Sequence, residues 1–162
     1  MRVEDGSGLC NADSYTDLAF ADAYLGSRGR TAWAEASVKE REEALIRACD
    51  YLDSAYESLF RGARKTETQR LAYPRFIEGE EAQAEIPTWL KEAHCEAAWL
   101  ELTEPGILRE GGEAAKGIQK EREGDWERSY LPGPCRAAAF PAVYGIMRRR
   151  IKNPSLLEIL RA

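Results

Sequence analysis

The sequence predicts a mainly α-helical protein: a small helical bundle of about four helices with a short β-hairpin and an extended C-terminal tail, in one domain over residues 1–162. Three observations carry this. Apolar residues recur at three- and four-residue steps in separate segments, each bounded by a capping or breaking residue. A charged stretch near residue 120 changes to alternation, the period of a strand. The chain has 162 residues and is 44% hydrophobic, enough for one packed core and short for two.

Residues 1–14, rich in Gly, Asp and Asn, read as an extended N-terminal arm. Thr16 or Asp17 caps a first helix whose Leu18, Ala21, Tyr24 and Leu25 share a face, and Gly29 stands just past its end, where a left-handed residue is favoured. Ser37 and Glu40 have capping-box spacing and open a second helix. Its stripe of Leu45, Ala48, Cys49, Leu52, Ala55, Tyr56 and Leu59 ends before Gly62. Pro87 suits the first turn of a third helix, which runs to about Leu102 with Leu90, Ala93, Ala97 and Leu100 on one face and Trp89 and Trp99 beside it.

Residues 117–131 alternate about Gly124-Asp125, with Arg122 before the turn and Trp126, Arg128 and Tyr130 after it. This predicts a hairpin that needs a partner surface, because a lone charged hairpin is marginal in water. Phe140, Val143, Tyr144, Met147 and Ile151 then share the face of a fourth helix entered through Pro141. In the tail, residues 152–162, Leu156, Leu157, Ile159 and Leu160 are four large apolar side chains close together, a composition that docks rather than dangles.

Charge and motif content narrow the function. A net charge of -5 argues against a dedicated nucleic-acid binder, which shows a basic domain or stripe. Cys10, Cys49, Cys95 and Cys135 form no C-x-x-C pair and read as buried free thiols in a reducing cytoplasm, with no signal peptide and no membrane span. His94 is the single histidine, which removes most triads and zinc sites, and its neighbour Cys95 points about 100° away on a helix. Asp13, Asp17 and Asp22 lack the loop spacing of a calcium site and read as caps. The residues therefore predict no enzyme, no metal and no cofactor.

Two features keep alternatives open. Arg148, Arg149 and Arg150 form the one concentrated basic run, which either complements a helix C-terminus or contacts an acidic partner or phosphate. Tyr15, Trp33, Tyr73, Trp126 and Tyr130 could stack on bases, but they are not interleaved with Lys and Arg on a strand platform, which favours core or interface packing.

The most particular stretch is Arg61-Gly-Ala-Arg-Lys-Thr-Glu-Thr-Gln-Arg-Leu-Ala-Tyr-Pro-Arg75, a polar loop ending in a signature that includes Arg70, Tyr73, Pro74 and Arg75. Taken with Val3-Glu-Asp-Gly6, Asn11-Ala-Asp-Ser-Tyr15, Ala21-Asp-Ala-Tyr24 and Glu121-Arg-Glu-Gly-Asp-Trp126, it resembles a family of tailed-bacteriophage proteins. These carry the name DnaT-like single-stranded-DNA-binding proteins and are similar to the head-tail connector adaptors that extend the portal.

The resemblance implies a structural virion protein without turnover: a neck adaptor that forms a ring, expected to be dodecameric, beneath the portal. It would extend the DNA channel, pass double-stranded DNA without sequence-specific binding and carry a downstream neck or tail-completion protein. Assembly would occur in the host cytoplasm and the product would reside in the virion neck. In that setting Arg148, Arg149, Arg150, Leu156, Leu157, Ile159 and Leu160 are expected to dock on the portal or a neighbouring subunit, and Arg122, Asp125, Trp126, Arg128 and Tyr130 to lie between subunits. The alternative implied by the family's name is a single-stranded-DNA-binding replication accessory.

Overall fold

The computed structural model describes residues 1–79, 85–110, 120–123, 126–129 and 140–151, with residue 110 and both later strands described by their backbone. In chain order the helices are α1 (Leu18–Gly26), α2 (Thr31–Glu35), α3 (Val38–Tyr56), α4 (Thr88–Thr103), α5 (Ile107–Glu110) and α6 (Pro141–Met147). The strands are β1 (Ala63–Arg64), β2 (Arg75–Phe76), β3 (Lys120–Glu123) and β4 (Trp126–Ser129). Helices α1, α3, α4 and α6 are the four that the periodicity predicts; α2, α5 and the β1–β2 ribbon are additions.

Local chemistry sets most boundaries. Asp17, not Thr16, caps α1, its Oδ1 accepting from the Phe20 N–H at 2.7 Å. Past the end of that helix, Gly29 adopts φ +68°, the left-handed conformation expected of it. The predicted capping box opens α3: Ser37 Oγ accepts from Glu40 N–H at 3.3 Å and Glu40 Oε2 accepts from Ser37 N–H at 2.8 Å. Helix α3 ends at Tyr56 and tightens into a 3-10 turn over Glu57–Leu59. Pro87 is the N-cap of α4.

Helix α4 is the centre of the bundle, packed against α1, α3 and α6. One apolar face was expected of it. Instead, burial extends from Leu90, Ala93 and Ala97 to His94, Cys95, Ala98, Glu96 and Glu101, because neighbours cover it on several sides. The buried carboxylates are compensated. Glu101 accepts from Arg47 Nε at 2.8 Å and from the Gly106 and Leu108 N–H groups at 3.0 and 3.1 Å, which starts α5; Glu96 meets Arg28 and Arg30 at 3.7 and 3.6 Å.

Residues 1–14 do not form an extended arm. They fold back on themselves through the Val3–Ser14 bridge, with Ala12 fully buried. Buried Glu4 organises the loop, accepting from the Gly6, Gly8 and Leu9 N–H groups at 2.8–2.9 Å. Gly6 and Gly8, at φ +95° and +90°, turn those donors toward one carboxylate.

Helix α6 stops at Met147 rather than reaching Ile151; a turn follows and Ile151 bridges Phe60. The predicted face survives the shorter helix, since Phe140, Val143, Tyr144, Met147 and Ile151 are all buried. The hairpin is present, with Glu121 opposite Arg128 and Arg122 opposite Glu127, so opposite charges occupy facing register positions. Asp125 and Tyr130 lie outside the described residues, as does the whole tail from Lys152, including Leu156, Leu157, Ile159 and Leu160.

Candidate functional site

One end of the bundle brings together two of the sequence features that looked functional, the 61–75 loop and the Arg148–Arg150 run. The loop after α3 returns through the β1–β2 ribbon, in which Ala63 faces Phe76 and Arg64 faces Arg75. The Phe60–Ile151 bridge then brings the chain after α6 to the same place. Arg148, Arg149 and Arg150, all exposed, therefore stand beside the 61–76 loop despite their distance in sequence. Beneath them lies an aromatic cluster. Phe60 and Tyr73 meet edge to face at 4.9 Å, Tyr73 and Trp89 at 5.6 Å, and the Arg150 guanidinium stands 6.0 Å from the Trp89 ring.

The loop expected to be polar is a scaffold whose signature half is buried: Leu71, Ala72, Tyr73 and Arg75 are enclosed, and the Tyr73–Pro74 peptide is cis. Arg75 is the fastener, donating to the carbonyls of Arg61 at 2.8 Å, Gly62 at 2.6 Å and Ala72 at 3.2 Å. Those carbonyls take the place of water around the guanidinium, which is why a charged side chain is stable there. Gln69 works from inside the same loop, donating to the Leu71 and Pro74 carbonyls at 2.8 and 2.9 Å. Arg70 instead reaches outward, donating to the Ala12 carbonyl at 2.8 Å, Asp13 at 2.7 Å and Asp50 at 3.3 Å, and so ties the N-terminal loop to α3.

These commitments leave a defined exposed remainder. Phe76 is 55% exposed, and besides Val38, at 54%, no other large hydrophobic side chain is exposed among the described residues. Arg61 and Arg64 flank it; Arg64 is paired with Glu57 at 2.6 Å, whereas Arg61 makes no ion pair among the described residues. Exposed Glu67 and Glu78 lie on the same loop, but with Arg148–Arg150 the basic groups outnumber them, although the chain is acidic. Sequence periodicity could not show this, because the basic groups come from two distant segments that tertiary contacts, the bridge to Ile151 among them, unite.

The candidate nucleophiles are placed for packing. His94 is fully buried with Nε2 2.7 Å from the Leu45 carbonyl, and burial lowers its pKa to about 4, so the neutral ring donates there. Its Nδ1 has no hydrogen-bond partner among the described residues. Burial pushes the Cys95 thiol up to about 12, and Cys49 is buried too. Cys10 departs from the expectation of buried thiols: it is exposed, at the outer turn of the 1–14 loop, and Cys135 lies outside the described residues. Among the described residues no cluster of His, Cys, Asp or Glu could hold a metal ion, and no helix is long and apolar enough to cross a membrane.

Of the aromatics considered for base stacking, Tyr15, Trp33 and Tyr73 are core residues, at most 2% exposed. Trp33 Nε1 donates to Asp22 at 2.7 Å and the Tyr15 hydroxyl to Asp53, so their polar ends are occupied as well. Asp22 also holds Arg41 at 2.9 Å and Asp13 holds Arg70, so with the Asp17 cap the three aspartates have local structural roles. Trp126 and Arg128 lie on β4 and Arg122 on β3, away from the 61–76 loop in sequence.

No curated protein and no solved structure matches the chain. A family model does, over its whole length: residues 1–162 match the family described as "Putative DnaT-like ssDNA binding protein", and the chain belongs to that family.

Proposed function

We propose that the protein is a structural neck adaptor of a tailed phage: a subunit that assembles as a dodecameric ring beneath the portal, lengthens the DNA channel and presents a platform for the next neck or tail-completion protein. The observation that carries this reading is how the side chains are used. Tyr15, Trp33 and Tyr73, three of the five aromatics considered for base stacking, are in the core, and Arg70 and Arg75 hold the protein's own backbone together. Among the described residues, what remains exposed includes a basic end with one large aromatic, Phe76, on a chain that is acidic overall. Segregated patches of this kind suit contact with other proteins, and an acidic balance suits a conduit wall that repels rather than retains a passing duplex. Neither role requires turnover, a metal or a cofactor.

The test is reconstitution. DNA-filled heads made without this protein should fail to join tails, and adding the purified protein should restore joining; heads that join tails equally well without it would remove the adaptor role.

A second reading, a single-stranded-DNA-binding replication accessory, has two observations in its favour: the family's description and the exposed Phe76 beside Arg61 and Arg64. One stacking ring and a short run of arginines form a smaller platform than single-strand binders use. A filter-binding salt titration separates the readings, because phosphate contacts give an affinity that falls steeply as salt rises.

A further inference from the structure

The two exposed large hydrophobic side chains, Val38 and Phe76, sit at opposite ends of the longest helix. Val38 opens α3, and Phe76 lies on the ribbon that follows its C-terminal end. Nineteen helical residues separate the two ends by roughly 28 Å, at about 1.5 Å per residue.

Their surroundings have opposite charge. Around Phe76 the loop bears exposed Arg61, Arg64 and Lys65 against exposed Glu67 and Glu78, and the exposed Arg148–Arg150 run, brought in by the Phe60–Ile151 bridge, tips that end basic. Around Val38 stand Glu35, Glu40 and Glu43, also exposed; Lys39 nearby lies 3.8 Å from Glu43, and Arg41 is held by Asp22. Arg28 and Arg30, before α2, are committed to Glu96. Glu35 at one end and Arg61 at the other make no ion pair among the described residues. Phe76 projects from a ribbon fastened by Arg75.

We infer that these ends are the two halves of one contact between copies of this chain: the Phe76 ring of one subunit lies against Val38 of the next, with Arg61 facing Glu35. The occupant is a second copy because each end supplies the charge the other lacks and bears an exposed apolar side chain for the other to cover. Such a contact is heterologous, so repetition makes a ring if the rotation closes and a filament if it does not. The inference rests on the ring reading above and adds which surfaces form it.

The test uses cysteine trapping in the full chain with Cys10→Ser and Cys135→Ser. A chain carrying both Val38→Cys and Phe76→Cys should give a ladder of covalent oligomers on mild oxidation, and a mixture of the two single variants should give dimers. Each single variant alone should stay uncrosslinked. In the wild-type background Phe76→Ala should weaken self-association roughly tenfold or more, as truncation of a central aromatic anchor does, while circular dichroism shows the helices intact. Arg61→Glu and Glu35→Arg should each weaken it, and mixing these two variants should restore it.

A single cysteine variant that dimerises with itself would show a two-fold contact and overturn the inference. Rings that assemble without the ladder would overturn this contact and leave the ring reading standing. Protein that stays monomeric even with the portal present would overturn both. Phe76→Ala that abolishes retention of a single-stranded oligonucleotide yet leaves self-association intact would assign the ring to nucleic acid instead.

Discussion

The Phe76 carbonyl oxygen lies only 2.1 Å from where a Cβ on Gly62 would stand, so the ribbon at the basic end closes only over a glycine. Gly62 also has φ +72°. Gly62→Ala should therefore lower stability by at least about 1–2 kcal/mol from the left-handed backbone alone, with the clash adding to it. Gly26 is the control: it is helical with open space around its Cβ position, so Gly26→Ala should leave stability unchanged or raise it by about 0.5–1 kcal/mol. Urea titration of both variants checks this; equal effects would mean that the ribbon is not closed as described.

Arg75 should be irreplaceable even by lysine. Its planar fork bonds the Arg61, Gly62 and Ala72 carbonyls at once, and an ammonium cannot copy that geometry. Arg75→Lys and Arg75→Ala should each cost roughly 2–4 kcal/mol, since a hydrogen bond to a charged group contributes about 1.5–3 kcal/mol. Full stability in Arg75→Lys would reduce the fastener to a simple charge.

Stability against pH should show two opposed contributions. Burial raises the Asp53 pKa from 3.8 to about 6, so its stabilising contribution is complete below pH 3.8 and lost as pH rises through about 6. Burial lowers His94 from 6.5 to about 4, so its contribution is present above pH 6.5 and lost as pH falls through about 4, a loss on the order of 3 kcal/mol at about 1.4 kcal/mol per pH unit. Across that window the two partly cancel. Asp53→Asn should steepen acid destabilisation between pH 6.5 and 4 and His94→Gln should flatten it, measured as thermal midpoint against pH; identical slopes in all three proteins would contradict the assignment.

The hairpin and the tail carry predictions for assembly. Trp126→Ala should impair ring formation while leaving helical content and melting temperature nearly unchanged, whereas an equal loss of fold stability would place Trp126 in the core. Truncation after Lys152 removes Leu156, Leu157, Ile159 and Leu160, each contributing roughly 1.5–3 kcal/mol if buried against a partner. The shortened protein should fold and yet fail to complete portal-filled heads; wild-type yield would refute tail docking.

Much of the fold was legible because its signals are local. Asp17, the Ser37–Glu40 box and the stripe through Leu45 and Leu52 act within a few residues of themselves, and each helix follows. The basic end was not legible, because its causes are distant in sequence. Arg75 reads as a surface charge until the carbonyls of residues 61, 62 and 72 surround it, and Glu4 as a solvated acid until three amides turn toward it. Two-residue strands such as Ala63–Arg64 leave no periodic trace. The neighbourhood of Phe76 and Arg148–Arg150 depends on the Phe60–Ile151 bridge, a tertiary contact without a sequence motif.

The ring beneath the portal is tested most directly by negative-stain imaging of the purified protein, alone and mixed with portal assemblies. The adaptor reading predicts closed rings seated coaxially on the portal, lengthening its channel. Monomers that leave the portal unchanged, together with salt-sensitive retention of single-stranded DNA, would contradict it.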